Sequence, residues 1–178
     1  MNRKINHAFA VRSALLLLLI SFFVVGCGQG EKKYPEKATL NSLAPNFNLT
    51  DIQGQKWQLA DLRGKLVFIN FWATWCPPCQ EELPSMEALN RAMDKNRFQM
   101  LTILSNDNPD LARMLAGRIG LSFPILIDPD SKGAARYGIT GVPETFIIDS
   151  QGILREKIIG PRNWNSPAAL QMLGKYLP

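Results

Sequence analysis

The chain has 178 residues, which is enough for one domain with a hydrophobic core of its own. Its 20 lysines and arginines outnumber its 15 aspartates and glutamates, but three of the basic residues lie in the first 26 positions, which hold no acidic residue. The remaining chain is nearly balanced, at 17 basic against 15 acidic residues. This balance, without a basic stripe interleaved with aromatic residues, argues against nucleic-acid binding.

The N-terminal segment begins with basic residues, continues as an apolar run from Ala14 to Val25, and then reaches Cys27. This pattern predicts a bacterial lipoprotein signal peptide over residues 1–26, with a lipid on Cys27 after cleavage. An uncleaved anchor is the alternative, although the apolar run is shorter than the roughly 20 residues of a transmembrane helix. Both interpretations place the rest of the chain in the cell envelope, on the membrane, with its domain facing the periplasm or another extracytoplasmic space.

Residues 27–42 are polar, which predicts a flexible tether before a domain over 43–178. Short apolar runs in the domain predict strands at 46–50, 56–59, 66–71, 98–104, 124–127, 145–149 and 153–159. Helical patterns, two of them opened by a cap residue and a proline, lie at 79–96, 109–118, 131–137 and 167–177. The first two strands form a hairpin, and the order predicts an α/β sandwich with a central mixed sheet and helices on both faces.

Trp75-Cys76-Pro77-Pro78-Cys79 stands between a predicted buried strand and a predicted helix. A Cys-x-x-Cys pair at such a junction predicts a redox centre, and the positive end of the helix makes Cys76 the candidate nucleophile. A structural disulfide is the alternative, but a bridge that closes so short a loop removes little entropy from the unfolded chain. The single histidine, His7, lies in the predicted signal peptide, so we expect no metal site in the domain.

Several features of residues 43–178 resemble the thioredoxin superfamily. Phe71 to Cys79 is similar to its active-site strand and turn, Pro84 to its helix-kinking proline, and Gly141-Val142-Pro143 to its cis-proline loop. With the lipoprotein-like start, the chain resembles the membrane-anchored TlpA/ResA/DsbE group of extracytoplasmic thiol–disulfide oxidoreductases. The resemblance implies a thioredoxin-like sandwich with an N-terminal β-hairpin and an extra strand and helix before Pro143.

The resemblance also implies roles for residues around the motif. Cys76 attacks a substrate disulfide, and Cys79 resolves the mixed disulfide that forms. A cis peptide bond before Pro143 sets the backbone of Val142 opposite Cys76, where it pairs with the substrate; an ordinary trans turn is the alternative. Trp75 shields the site or contacts the substrate.

Two glutamates are candidates for tuning the site. Where thioredoxins carry a buried aspartate, this chain has Asn70, which cannot accept a proton. Glu82 shares the apolar helix stripe with Cys79, and ResA-like proteins carry a glutamate at this offset, so it is the candidate base; a partly exposed first-turn acid is the alternative. Glu144 either lies at the rim of the site, tuning the cysteines or contacting substrate, or is solvated. The polar helix face is predicted to hold Gln80, Glu87, Arg91 and Asp94.

The resemblance implies a reductase of disulfide-containing envelope proteins. Gly141 to Phe146 is closest to the members that serve cytochrome c maturation, so apocytochrome c is the expected substrate. We expect a monomer without a cofactor or a metal. It would receive electrons from a membrane donor of thiol–disulfide type, because an oxidising compartment closes such pairs. An oxidase or isomerase of the envelope is the alternative with the same chemistry.

Three other classes agree less well with the sequence. Thiol peroxidases place Pro and Thr seven and three residues before the reactive cysteine, where this chain has Ile69 and Ala73. Metal-delivery modules of the same fold need Cys-x-x-x-Cys and a distant histidine, and the predicted domain has neither. A peptide-binding scaffold that only inherited the fold would not need two intact cysteines.

Overall fold

The computed structural model describes residues 35–178. Its strands are β1 (Asn48–Asp51), β2 (Lys56–Gln58), β3 (Leu66–Trp72), β4 (Phe98–Leu104), β5 (Ile125–Ile127), β6 (Glu144–Ile148) and β7 (Leu154–Ile159). Its helices are α1 (Pro77–Ala92), α2 (Pro109–Ile119), α3 (Lys132–Tyr137) and α4 (Pro167–Gly174), with a 3-10 turn at Leu59–Leu62. The strands form one mixed sheet in the order β2-β1-β5-β4-β3-β6-β7. The predicted sandwich is confirmed, including the hairpin of β1 and β2 and the added β5 and α3.

Strand β3 is the centre of the fold. It runs parallel to β4 and antiparallel to β6, and all of its residues are buried. Because side chains alternate along a strand, Phe68 and Trp72 face one core, which also holds buried residues of α1, α2 and α4. Ile69 and Phe71 face the second core, together with Tyr137 of α3. Both faces of the sheet are thus covered, and the carboxyl end of β3 leads into α1.

Helix α1 differs from its prediction at both ends. It begins at Pro77, because a proline is tolerated at the first helical positions, where its missing N–H would have no partner in any case. It ends at Ala92, short of the predicted Asn96. Met93 leaves the helical region with a ψ of 139°, and a turn at Asp94 then leads directly into β4.

The predicted start of α2 is confirmed, and the helix ends at Ile119, one residue beyond the prediction. The side chain of Asn108 accepts a hydrogen bond from the backbone N–H of Asp110, and Pro109 occupies the first helical position. Gly120 follows the helix with a left-handed φ of 78°, and its N–H donates to the carbonyl of Ala116. This conformation favours glycine because a side chain would crowd the backbone.

The predicted signal peptide and Cys27 lie outside the described residues, as does the first part of the predicted tether, 27–42. The last part of that tether contacts the domain, since the N–H groups of Ala38 and Asn41 each donate to a domain carbonyl at 2.8 Å. Contacts of the folded domain therefore begin before residue 43. Within residues 35–178, no helix is long and apolar enough to cross a membrane.

The end of α2 provides a matched pair of glycine substitutions. Gly117 and Gly120 both have open space around an added Cβ, but only Gly120 has a positive φ. We expect Gly120→Ala to lower the free energy of unfolding by about 1 kcal/mol, because alanine is strained in the left-handed region. Gly117→Ala should instead raise it by about 0.5–1 kcal/mol, because alanine favours a helix interior. Urea denaturation measures both, and two changes of the same sign would contradict this assignment of the helix end.

Candidate active site

Cys76 and Cys79 form a disulfide at the start of α1. Cys76 is the N-cap residue and Cys79 lies in the first turn, so the pair stands at the positive end of the helix. The N–H of Cys79 donates to the sulfur of Cys76 at 3.2 Å, an interaction that also favours a thiolate there. Cys76 is 4% exposed and Cys79 is fully buried, so a partner sulfur meets Cys76 first.

The loop before β6 carries the second part of the site. The peptide bond between Val142 and Pro143 is cis, which confirms the predicted geometry. The carbonyl oxygen of Val142 lies 3.5 Å from the sulfur of Cys76. The backbone of Val142 is therefore at the reacting sulfur, where an extended substrate segment can pair with it.

Glu82 lies one helical turn beyond Cys79 and is only 3% exposed. One carboxylate oxygen accepts from Asn70 Nδ2 at 2.8 Å. The other accepts from Trp164 Nε1 at 3.0 Å and from the backbone N–H of Arg162 at 3.1 Å. The alternative of an exposed first-turn acid is therefore wrong, because Glu82 is buried and fully engaged.

Burial is the largest influence on Glu82 and raises the pKa of its carboxyl group. The hydrogen bonds from Trp164, Asn70 and Arg162 favour the ionised form, but they offset only part of this rise in pKa. All three donors are uncharged N–H groups. Glu82 also lines a cavity of about 390 Å³ between α1 and residues 161–163.

Asn70 cannot accept a proton itself, but its side chain orients the carboxylate of Glu82. It lies on β3, where its Nδ2 donates both to Glu82 and to Thr145 Oγ1, at 2.8 and 3.0 Å. Its side chain is completely buried. At the position of the thioredoxin aspartate, β3 therefore carries a hydrogen-bond donor, and the buried carboxyl group that it contacts lies on α1.

Sequence reasoning did not identify Trp164 as part of the site. Its ring is fully buried and packs edge-to-face on Phe68, with 4.6 Å between ring centroids, while its Nε1 donates to Glu82. The N–H of a buried tryptophan usually finds a hydrogen-bond partner, so the residue type is a signal. The sequence does not indicate which of four tryptophans meets Glu82.

Glu144 lies neither at the rim of the site nor in solvent, which were its two predicted positions. Its side chain is fully buried and accepts from the N–H and hydroxyl of Thr140, at 2.8 and 2.7 Å, and from the N–H of Gly141. Lys157 Nζ lies 3.0 Å from its other oxygen. Burial alone would raise the pKa of Glu144, but these hydrogen bonds and the ion pair outweigh burial and lower it. The carboxylate therefore holds the turn that precedes Val142.

Trp75 is the exposed member of the motif, with 60% of its surface accessible. Its Nε1 lies 3.4 Å from the carbonyl oxygen of Asn106, and the N–H of Thr74 donates to the carboxylate of Asp107. These bonds connect the motif to the loop between β4 and α2. Trp75 is thus held beside Cys76 with its ring available to a partner.

The residues that thiol peroxidases need are not present around Cys76. Ile69 and Ala73, where thiol peroxidases carry Pro and Thr, are both fully buried and have no hydroxyl group. Among residues 35–178, no group of three or more His, Cys, Asp or Glu side chains is placed to hold a metal ion.

The sequence and structure are similar to known proteins across most of the chain. A family model described as the AhpC/TSA family matches residues 40–157. The thiol-disulfide oxidoreductase ResA of Bacillus thuringiensis (strain Al Hakam) is 36% identical over 148 residues, which cover 82% of this chain and 86% of the relative.

Two solved structures have the same architecture. A Chlorobium tepidum protein assigned as the thiol:disulfide interchange protein DsbE superposes with a TM-score of 0.72 at 26% identity, covering 79% of this chain and 99% of that one. The pneumococcal exposed lipoprotein thioredoxin Etrx1 of Streptococcus pneumoniae superposes with a TM-score of 0.61 at 28% identity, covering 73% and 98%.

The raised pKa of Glu82 predicts how stability depends on pH. The folded chain binds this proton more tightly than the unfolded chain, so the stabilisation is complete below the unfolded pKa and is lost as pH rises through the folded pKa. The free energy of unfolding of the wild type, minus that of Glu82→Gln, should therefore fall from acidic to neutral pH. Urea denaturation of the oxidised proteins measures it.

Glu81→Gln is the matched control, because it removes a charge from the exposed side of the same helical turn. If the free energy of unfolding of the wild type, minus that of Glu82→Gln, instead rises with pH, the folded pKa of Glu82 is lowered and the prediction is wrong.

Proposed function

Because the chain belongs to the AhpC/TSA family of thioredoxin-like proteins and is a thiol–disulfide oxidoreductase of the ResA/DsbE type, we propose that it reduces disulfides in envelope proteins, with apocytochrome c as its substrate. The family acts on partners that contain disulfides. The observation that carries the proposed mechanism is a redox-active cysteine pair followed, one helical turn later, by the buried carboxyl group of Glu82. This carboxyl group makes hydrogen bonds to uncharged N–H groups and has no ion pair among the described residues. That arrangement supplies a nucleophile, a resolving thiol and a base.

The reaction begins from the reduced form of the pair. The thiolate of Cys76 attacks one sulfur of the substrate disulfide, the substrate S–S bond breaks, and its second sulfur leaves as a thiolate. Cys79 then attacks the sulfur of Cys76 and releases the remaining substrate thiolate. The substrate gains two electrons and two protons, and the enzyme is left with the Cys76–Cys79 disulfide seen in the structure.

Glu82 is the proposed base for the second step. Cys79 is fully buried, so its thiol needs a nearby acceptor before it can attack. A raised carboxyl pKa lies closer to the thiol pKa of about 8.5, which makes proton transfer less unfavourable. Asn70 and Trp164 keep the carboxylate oriented during this transfer.

The substrate contacts proposed for Val142, Pro143 and Trp75 agree with their positions. The backbone carbonyl of Val142 lies at the sulfur of Cys76. Trp75 directly precedes Cys76, and its ring is exposed. Glu144 acts at one remove, because it holds the turn before Val142 and has no exposed surface.

Lipid attachment at Cys27 and a location on the outer side of a membrane remain part of the proposal. The signal-like segment before Cys27 supports them, and so does the lipoprotein character of the pneumococcal relative. An oxidising compartment would keep the enzyme in its disulfide form, so a membrane donor with a reactive dithiol must return two electrons after each turnover. The resemblance of Gly141 to Phe146 to cytochrome-maturation members supports apocytochrome c.

Glu82→Gln should separate the two chemical steps. We expect the reduced variant to form the mixed disulfide at a nearly unchanged rate, and to resolve it about 10²-fold more slowly, since general base catalysis is typically worth that factor or more. Rapid acid quenching followed by mass spectrometry measures both steps. Glu81→Gln is the control. If Glu82→Gln resolves the mixed disulfide at the wild-type rate throughout about pH 6 to pH 9, the range around a thiol pKa, the role of Glu82 is contradicted.

Cys79→Ala should trap the substrate. With no resolving thiol, the Cys76 thiolate should hold apocytochrome c as a mixed disulfide that a reductant releases, and this trapping requires an oxidised substrate. Cys76→Ala is the matched control, because only the buried Cys79 remains. Mass spectrometry identifies the trapped chains. Absence of apocytochrome c among them would overturn the substrate, and equal trapping by both variants would overturn the order of attack.

A further inference from the structure

We propose that a groove between the start of α1 and α2 binds the polypeptide next to the reactive cysteine of the partner, and that it favours an apolar side chain beside an acidic one. The groove has a volume of about 460 Å³ and is lined by Thr74, Gln80, Leu111, Met114, Leu115 and Arg118. The inference deepens the proposed function, on which it rests only for the statement that the partner is a polypeptide.

The outer face of α2 carries two large apolar side chains, although the helix already packs on the core with its other face. Ala112 and Leu115 are its buried residues and point into the core. Leu111 and Met114, three positions apart, are 49% and 72% exposed, so they form a second apolar stripe on the solvent side. A cluster of exposed apolar side chains marks a contact surface, and methionine adapts to varied partners.

This stripe is continuous with the redox motif. Thr74 stands two residues before Cys76, and Gln80 directly follows Cys79. Gln80 Nε2 donates to the carbonyl of Thr74, and the N–H of Thr74 donates to Asp107, just before the cap of α2. These bonds fix the groove relative to the reacting sulfur.

The chemistry of Cys76 selects the occupant. Cys76 is only 4% exposed, so a partner sulfur reaches it only if the partner backbone lies against the surrounding surface. The Val142–Pro143 loop covers one part of that surface, and the groove, which shares no residue with this loop, receives the chain in another. A second copy of the protein is a less suitable occupant, because the two cysteines of its domain are bonded to each other and buried, and so do not offer a sulfur to Cys76.

Arg118 gives the groove its charge preference. It lines the groove and makes no ion pair among the described residues, whereas Arg113 on the same helix is paired with Asp110. An unpaired guanidinium at the edge of an apolar surface favours a carboxylate on the bound chain. A partner with an apolar residue and an acidic residue beside its cysteine satisfies both features.

The test uses the reduced protein and two synthetic peptides, each with an internal disulfide, that differ only beside one cysteine, Leu-Asp in the first and Ser-Lys in the second. The wild type should oxidise faster with the Leu-Asp peptide by about tenfold, the effect of one buried apolar side chain. The Leu111→Ser/Met114→Ser variant should lose this preference. Arg118→Glu should slow the reaction with the Leu-Asp peptide and accelerate it with the Ser-Lys peptide.

Two controls keep the outcome specific. Leu170→Ser removes another exposed leucine, on α4, and should keep the wild-type preference. The rate with 2-hydroxyethyl disulfide, too small to fill the groove, should be the same in every variant. Equal rates with both peptides in the wild type, or self-association that Leu111→Ser abolishes, would overturn the groove as a docking site. Failure to trap apocytochrome c would overturn that substrate and leave the peptide preference standing.

Discussion

The burial of one carboxyl group beside the cysteine pair constrains the rest of the structure. Glu82 is removed from water and must receive its hydrogen bonds from elsewhere in the chain. Asn70 supplies one from the central strand, and Arg162 and Trp164 supply two from the segment before α4. Strand, helix and C-terminal segment therefore have to meet at one point. The packing of Trp164 on Phe68 fixes this meeting point within the apolar core.

Two buried glutamates near the site have opposite properties because their partners differ. Glu82 receives hydrogen bonds from uncharged N–H groups only, and burial raises its pKa. Glu144 is also buried, but Thr140 and Lys157 supply enough hydrogen bonding and charge to lower its pKa. One carboxyl group is therefore suited to exchange a proton with Cys79. The other stays ionised and holds the turn that brings Val142 to the sulfur of Cys76.

The sequence predicts what depends on local pattern or on the family resemblance. The bounds of β4 and the cap of α2 at Asn108 follow from apolar runs and capping residues. The position of Glu82 follows from its helical spacing to Cys79, and the cis bond before Pro143 follows from the resemblance.

What the sequence does not predict depends on contacts between distant segments. Trp164 meets a carboxylate 82 positions away, which no local pattern records. Glu87 is predicted to lie on the polar helix face, but it is buried. Its carboxylate accepts hydrogen bonds from the N–H and hydroxyl of Ser122, which make this burial possible. Lys157 likewise reaches Glu144 from the neighbouring strand.

The central claim is that Glu82 holds its proton more tightly than an ordinary glutamate does. The most direct measurement is a carbon-13 NMR titration of the glutamate side-chain carboxyl groups in the oxidised protein, with Glu82→Gln used to assign the Glu82 signal. We expect that signal to titrate clearly above the ordinary value of 4.5. Titration at or below that value would show that the three hydrogen bonds outweigh burial, and would contradict the role of Glu82 as the base for Cys79.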